Sequence, residues 1–308
     1  MKDEMVCLEP FDWRYSAAIV GLRKYLEWLG VDEEPNLIIT EDTLEYNKKY
    51  LDKEDFLKFA EYYFKDDMHH IEIENNLKEK KPSEKQINFV NDKMKANIIL
   101  KNLFKKIKYD GQNQDKIQKI IDQNREKIIF ETFKNKSNLY KNYCNPYQLF
   151  KDEQECCRLN GYYIDMPKKG KSASYAFDKS NYVGNDIPEF DFIPFAFSGC
   201  REKFFINDNV ALNRLQKTNN QWNRTVKAQM EELKQKGERV NTKRIFIDCL
   251  IEAKDFLQSD IEIIVKKPER AYFETLYLRK ESLEILKNMK SYYKAFCFSI
   301  KISDDYWI

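Results

Sequence analysis

Three short basic segments combine residue types that suit a polyanion. Lys168-Lys169-Gly170-Lys171-Ser172 reads as a turn between two short strands. Lys168, Lys169 and Lys171 flank a glycine that lets backbone N–H groups approach a phosphate closely. The second segment holds Arg201 and Lys203, then Asn207 and Asn209. Arginine grips phosphate or guanine, and asparagine offers both a donor and an acceptor to a base edge. The third is a helical stretch bearing Arg214, Lys217, Arg224 and Lys227. Arg214 and Lys217 share a face by their i, i+3 spacing, which suits a track of phosphates. Each segment also has a plain structural reading: a solvated hairpin tip, ordinary turn chemistry and a solvated helix face.

Other chemistries find less support. There is no G-x-x-x-x-G-K-[ST] or G-x-G-x-x-G, and only 8 glycines are available for phosphate-cradling loops. The two histidines, His69 and His70, are adjacent in a polar stretch, which argues against a Ser–His–Asp or Cys–His system. A metal nuclease needs carboxylates and a lysine converging from a strand. Glu262 and Lys266 have the strand but not the spacing, and Glu79-Lys80-Lys81 has the spacing in a polar run. Cys144, Cys156, Cys157 and Cys200 contain no C-x-x-C pair, so we expect no zinc site, no other metal and no cofactor. Seven irregularly spaced cysteines also argue against a disulfide framework.

The elements that must position the basic segments follow from caps and periodicity. Met5 to Trp13 reads as a strand or extended entry, and Asp12 as the N-cap of a helix ending at Gly30. A brief strand spans residues 36–40, and Asp52 caps a helix over 53–64. Residues 65–83 read as a loop or hinge. Ser83 opens a long helix with an apolar stripe from Ile87 to Ile107, and a second helix spans 115–133. Beyond Leu139 extended runs appear at 159–166, 172–177, 190–197 and 203–206. Helices follow over 209–236 and 242–257, then a hairpin of Ile261–Lys266 and Ala271–Leu278, then a last helix over 281–298. The expected class is α+β, with a mixed, mainly antiparallel sheet and a Lys-rich helical insertion.

Charge divides along the same lines. Residues 1–77 hold 9 Lys/Arg against 19 Asp/Glu, whereas 78–141 hold 17 against 8. The acidic head suits a basic protein partner and the Lys-rich middle suits phosphate. We therefore divide the chain into an acidic N-terminal α/β part (1–82), a Lys-rich helical hairpin insertion (83–141) and an α+β part (142–308) that joins 1–82 in one large domain. No stretch approaches the ~18–20 apolar residues of a membrane span. The start lacks the basic tip and apolar run of a signal peptide, so we expect a cytoplasmic protein without membrane contact.

Phe11-Asp12-Trp13-Arg14-Tyr15-Ser16-Ala17-Ala18-Ile19-Val20-Gly21-Leu22 resembles the opening of large subunits of type I CRISPR Cascade complexes, the Cas-eight family. The segments 192–197 with 204–207, and 261–265 with 272–280, resemble later stretches of the same family, in the same order. The resemblance implies a non-enzymatic subunit in antiviral defence, with crRNA and target double-stranded DNA as partners. It would recognise the protospacer-adjacent motif, help open the duplex and lie near the crRNA 5′ handle. Backbone and handle subunits would adjoin it, and a helicase–nuclease would be recruited on target binding. Two features depart from the pattern. The C-x-x-C pairs of some branches are missing. No C-terminal helical bundle follows Asp304-Asp305-Tyr306-Trp307-Ile308, so either the chain is truncated or that bundle is a separate small subunit. With the resemblance, Lys168–Lys171 and Arg201–Asn209 become the foremost DNA-contact residues, with Arg214 and Lys217 beside them. A metal-dependent nuclease and a pure protein scaffold are the alternatives.

Overall fold

The computed structural model describes residues 4–31, 36–79, 81–151, 158–160, 186–238, 242–253, 257, 259–268, 270, 272–282 and 285. The chain is α+β, predominantly helical, with two small antiparallel sheets. The first sheet has strand order β1-β3-β2, from Met5–Leu8 (β1), Leu37–Ile39 (β2) and Leu44–Asn47 (β3). β3 carries no alternation long enough to announce it from the sequence. Helix α1 (Trp13–Trp28) leaves the first strand through Asp12, whose carboxylate accepts from the Arg14 N–H at 2.8 Å. Asp52 caps α2 (Lys53–Tyr63) in the same way. Both caps match the expectation, because an Asx side chain satisfies an N–H that the helix leaves open.

Residues 65–83 depart from the expected loop. They contain α3 (His69–Leu77), and His70 is fully buried. The helix was hidden because its buried face is short, with only Ile73 and Leu77 apolar beside His70. The long helix expected after Ser83 is also broken. It becomes α4 (Glu84–Lys93) and α5 (Ile98–Leu103). Asn97 restarts the helix by accepting from Leu100 N at 2.9 Å, while its amide donates to Thr132 Oγ1 at 3.0 Å. That second bond comes from α6 (Gln114–Asn135), a partner that no local pattern reveals. Helices α3–α6 surround their own apolar cluster, including Ile73, Val90, Leu100, Phe104, Tyr109 and Ile121.

The main core is built on α1. Its residues Ala17, Ala18, Val20, Leu22, Tyr25 and Leu26 are essentially inaccessible on several faces. One side meets the segment 188–197. The expectation of an extended run fails here: the chain forms a 3-10 turn (Pro188–Phe192) and one helical turn, α8 (Ile193–Ala196), after the short α7 (Tyr140–Tyr143). Two prolines near the starts of these turns preset the backbone angle. Every residue from 189 to 197 is buried, so periodicity had nothing to distinguish strand from helix. Phe195 lies among the rings of Phe56, Phe59, Tyr63, Phe64 and Phe133, at centroid separations of 4.7–5.7 Å.

A buried charged network fixes this segment. Asp191 accepts from Arg158 Nη1 at 2.7 Å, from Phe150 N at 3.0 Å and from the Tyr140 hydroxyl. Arg158 also donates to the carbonyls of Gln148 and Lys151 at 2.6 and 2.8 Å. Asp186 accepts from Arg158 N at 2.6 Å and lies 3.5 Å from Nε. Two buried carboxylates thus share one guanidinium. Burial outweighs the pairing with Arg158 at Asp186 and pushes its carboxyl up to about 6.

The second sheet runs β4 (Ser198–Gly199), β5 (Lys203–Asn207), β6 (Ile261–Lys266) and β7 (Phe273–Leu278) as an antiparallel meander. Phe205 and Ile264 face the main core. Phe204, Ile206, Ile263 and Val265 face a second cluster with Trp222, Val226, Phe246 and Leu250. Covering on both faces explains the unbroken apolar runs in β5 and β6. Helix α9 (Leu212–Gln235) spans both clusters, and α10 (Thr242–Ala253) packs beside it. The hairpin Ile261–Lys266 with Phe273–Leu278 matches the expectation. The runs 161–166 and 172–177 lie outside the described residues, as does most of the expected last helix.

Two outcomes follow from this packing. A Cβ on Gly21 would sit 2.0 Å from the Phe192 carbonyl oxygen, so Gly21→Ala forces the 188–197 segment away from α1. Overpacking against backbone costs about 3 kcal/mol, read as a lower urea midpoint at unchanged slope. An unchanged midpoint would contradict the close approach. Folded Asp186 holds its proton more tightly than the unfolded chain does. Its contribution therefore makes stability fall as pH rises from about 4 to about 6, with the deficit complete above that. Urea midpoints across this range are expected to show a flatter profile for Asp186→Asn than for the parent.

Candidate nucleic-acid interface

The basic residues singled out in the sequence occupy unlike environments. Lys168, Lys169 and Lys171 lie outside the described residues. Arg201 is exposed in the connection between β4 and β5. Lys203 opens β5, half-buried, with Nζ donating to the Gly199 carbonyl at 3.0 Å. Desolvation lowers the pKa of its ammonium. Asn207 sits opposite Glu262 in the ladder and donates to its Oε2 at 2.8 Å. Asn209 is exposed, and its amide donates to the Pro10 carbonyl at 3.0 Å. Arg214 Nε donates to buried Asp208 at 2.8 Å, and its Nη2 donates to Ser259 Oγ at 2.6 Å. Arg214 and Lys217 share a helix, but their roles diverge: the first ties α9 to the strand connections and the second is exposed.

Lys217 begins a distinct feature. With Arg224 and Lys227 it is exposed on α9, and none of the three makes an ion pair among the described residues. Seven- and ten-residue spacings bring them within about 80° around the helix axis. The opposite side of α9 buries Leu215, Trp222, Val226 and Leu233. Between Asp208 and Glu231 the chain has no Asp or Glu, and the exposed face also carries Asn213 and Gln221. Asn219 holds the helix in register from the buried side. It accepts from Ile206 N at 3.1 Å and donates to Ile206 O at 2.8 Å, occupying both backbone groups of a β5 residue. The cations are therefore presented by a helix whose rotation is set by core packing and by this amide clamp. Such a stripe suits phosphates, and the interspersed amides suit sugar or base contacts.

The histidines take part in a different arrangement. His70 Nε2 meets Glu61 Oε1 at 2.6 Å, and Arg125 Nη1 donates to the same oxygen at 2.5 Å. Arg125 also bonds Glu74, which accepts from Gln118 at 2.7 Å. Burial alone would raise the Glu61 carboxyl, but His70 and Arg125 outweigh it and hold the group below the usual range. The cluster staples α2, α3 and α6 together beside an open depression of about 600 Å³ lined by Lys58, Tyr62, Lys65, Lys78 and Arg125. Sequence reasoning missed it because its members lie as far apart as residues 61 and 125. Arg158 escaped notice for the same reason.

No group of three or more His, Cys, Asp or Glu side chains able to hold a metal occurs among the described residues. Cys144 is buried with its Sγ 3.8 Å from the Phe190 carbonyl, and Cys156 and Cys157 lie outside those residues. Glu262 is engaged by Asn207 and Tyr277, and Asp260 accepts from Lys280 N at 2.9 Å. No helix among the described residues is long and apolar enough to cross a membrane.

No curated protein and no solved structure matches the chain. The family model described as CRISPR-associated protein Csx8 matches residues 5–308. That span takes in α1, both sheets and the cationic helix, and the chain belongs to the Csx8 family of CRISPR-associated proteins.

Proposed function

We propose that the chain is a non-catalytic, nucleic-acid-binding subunit of a type I CRISPR effector complex, acting there as the large subunit. In this reading it contacts the crRNA 5′ handle region and the target duplex, and reads the protospacer-adjacent motif. Backbone and handle subunits adjoin it, and the helicase–nuclease that cuts is a separate protein. Base pairing with the guide supplies sequence specificity, so the protein needs only short-motif and backbone contacts. The observation that carries the reading is the α9 stripe of Lys217, Arg224 and Lys227, exposed on an acid-free stretch and without ion pairs among the described residues. Family membership supplies the setting. Arg201, at the neighbouring β4–β5 connection, belongs to the same proposed interface.

The test is co-expression with the neighbouring CRISPR genes and a repeat array. A small RNA and the backbone subunits are expected to co-purify with the chain, and the complex to bind target duplex. Lys217→Gln, Arg224→Gln and Lys227→Gln together are expected to lower the salt slope of duplex binding by roughly 2–3, at ~0.9 for each phosphate no longer neutralised. A chain that assembles with no RNA-containing complex, or an assembled complex whose duplex binding the triple variant leaves unaltered, would overturn the reading.

A further inference from the structure

A second cationic surface runs from the turn before α5, along α5, to the turn that follows it. The chain from residue 93 to 109 carries six lysines and no Asp or Glu. Lys95, Lys101, Lys105, Lys106 and Lys108 are exposed, and none of them makes an ion pair among the described residues. The neighbouring lysines behave differently. Lys93 is drawn to Glu72 at 2.6 Å and Lys136 to Asp67 at 3.1 Å. This bundle thus supplies acids to some of its cations and leaves five in succession without them. Like charges at this density repel and lower the stability of the compact state unless a counter-charge arrives.

The segment is also held rigidly. Leu100, Phe104 and Tyr109 are buried in the α3–α6 cluster. Asn97 ties its start to Thr132. Asn91 clamps its end, accepting from Tyr109 N and donating to Tyr109 O, each at 2.9 Å. Asn113 donates to the Lys108 carbonyl at 2.8 Å. The lysines therefore project from a backbone fixed by packing and by three asparagine clamps, which limits the ordering cost of binding. Ile98, 80% exposed, stands between Lys95 and Lys101 in the chain and gives the surface an apolar point.

We propose that Lys95, Lys101, Lys105, Lys106 and Lys108 form a sequence-independent binding surface for the phosphodiester backbone of a nucleic acid, separate from the α9 stripe. Lysine acts here as a point charge without bidentate geometry, so the surface holds the polyanion and does not read bases. The segment extends over α5 and the turns on either side of it, long enough for several successive phosphates.

The experiment measures binding of random-sequence duplex DNA, single-stranded DNA and single-stranded RNA to the full chain between about 50 and 200 mM salt. The test variant carries Lys101→Gln, Lys105→Gln and Lys108→Gln. A control variant carries Lys48→Gln, Lys53→Gln and Lys58→Gln, which removes the same charge from exposed lysines that have acidic partners. On a duplex the parent is expected to lose about 40-fold more affinity over this range than the test variant, and on a single strand about 20-fold more. The control is expected to follow the parent, and the arm that the parent binds most tightly identifies the strand form. Urea midpoints confirm that both variants fold. Parent-like salt dependence in the test variant, an equal loss in the control, or no binding by the parent to any of the three would overturn the proposal. The Lys101, Lys105 and Lys108 variant reports on this surface and the Lys217, Arg224 and Lys227 variant on the α9 stripe, so the two readings fail separately.

Discussion

The carboxylate of Asp191 joins three stretches of chain that otherwise have little reason to meet. It receives the hydroxyl of Tyr140, the backbone N–H of Phe150 and the guanidinium of Arg158 within the buried interior. A buried ion of this kind gains little net stability against an apolar substitute, because desolvation consumes most of the attraction. Removing Arg158 would strand the carboxylate charge in a low-dielectric interior, and removing the Tyr140 hydroxyl would leave the ion pair short of a donor. Phe150 shows how firmly the site is determined. Its backbone sits at φ 62°, a region that costs a bulky residue of order 1–3 kcal/mol. Asp191 holds its N–H, and Phe56 meets its ring edge-on at 5.0 Å.

With Asp191 fixed, the segment 188–197 is seated against α1, α2 and α6, and the chain passes directly into β4 and β5. The position of the second sheet is thereby set by the main core. Helix α9 follows from that sheet, clamped by Asn219 on Ile206 and by Arg214 and Thr218 on Asp208. Cations at the start of this path are consumed internally. Arg158, Lys203 and Arg214 bind carbonyls and carboxylates of their own chain. Those further along α9 are exposed on a stretch that carries no acid. Pairing state, more than composition, separates a structural cation from one offered to a ligand.

The family setting and the surface chemistry point in the same direction. In the proposed role, where base pairing reads the sequence, the protein needs positive charge in fixed places and little else. Residues 1–77 hold 19 Asp/Glu, two of which, Glu61 and Glu74, form a staple with His70 and Arg125. Interior pairing consumes charge there, while α5 and α9 are left positive. The two surfaces differ in kind: α9 adds amides among its cations, and the α5 segment relies on lysine charge.

Much of the helical framework was legible locally. Asp12, Asp52 and Ser83 announced helix starts because a cap is a contact within three residues. The hairpin of β6 and β7 was legible from its turn residues. Phe190–Phe197 was legible as core but not as shape, since a run buried on every side shows no period. The roles of His70, Asn97 and Arg158 were not legible because their partners lie 9 to 35 residues away. By itself the sequence determined the α+β class, the helix starts at Asp12, Asp52 and Ser83, the buried runs and the placement of net charge, all of which follow from local pattern, whereas the one mixed sheet it suggested is two separate antiparallel sheets. Only the tertiary structure decided which cations are spent inside the molecule and which face solvent. That depends on contacts such as Arg158–Asp191 and Arg214–Ser259, between residues 33 and 45 apart, which folding alone brings within hydrogen-bond distance.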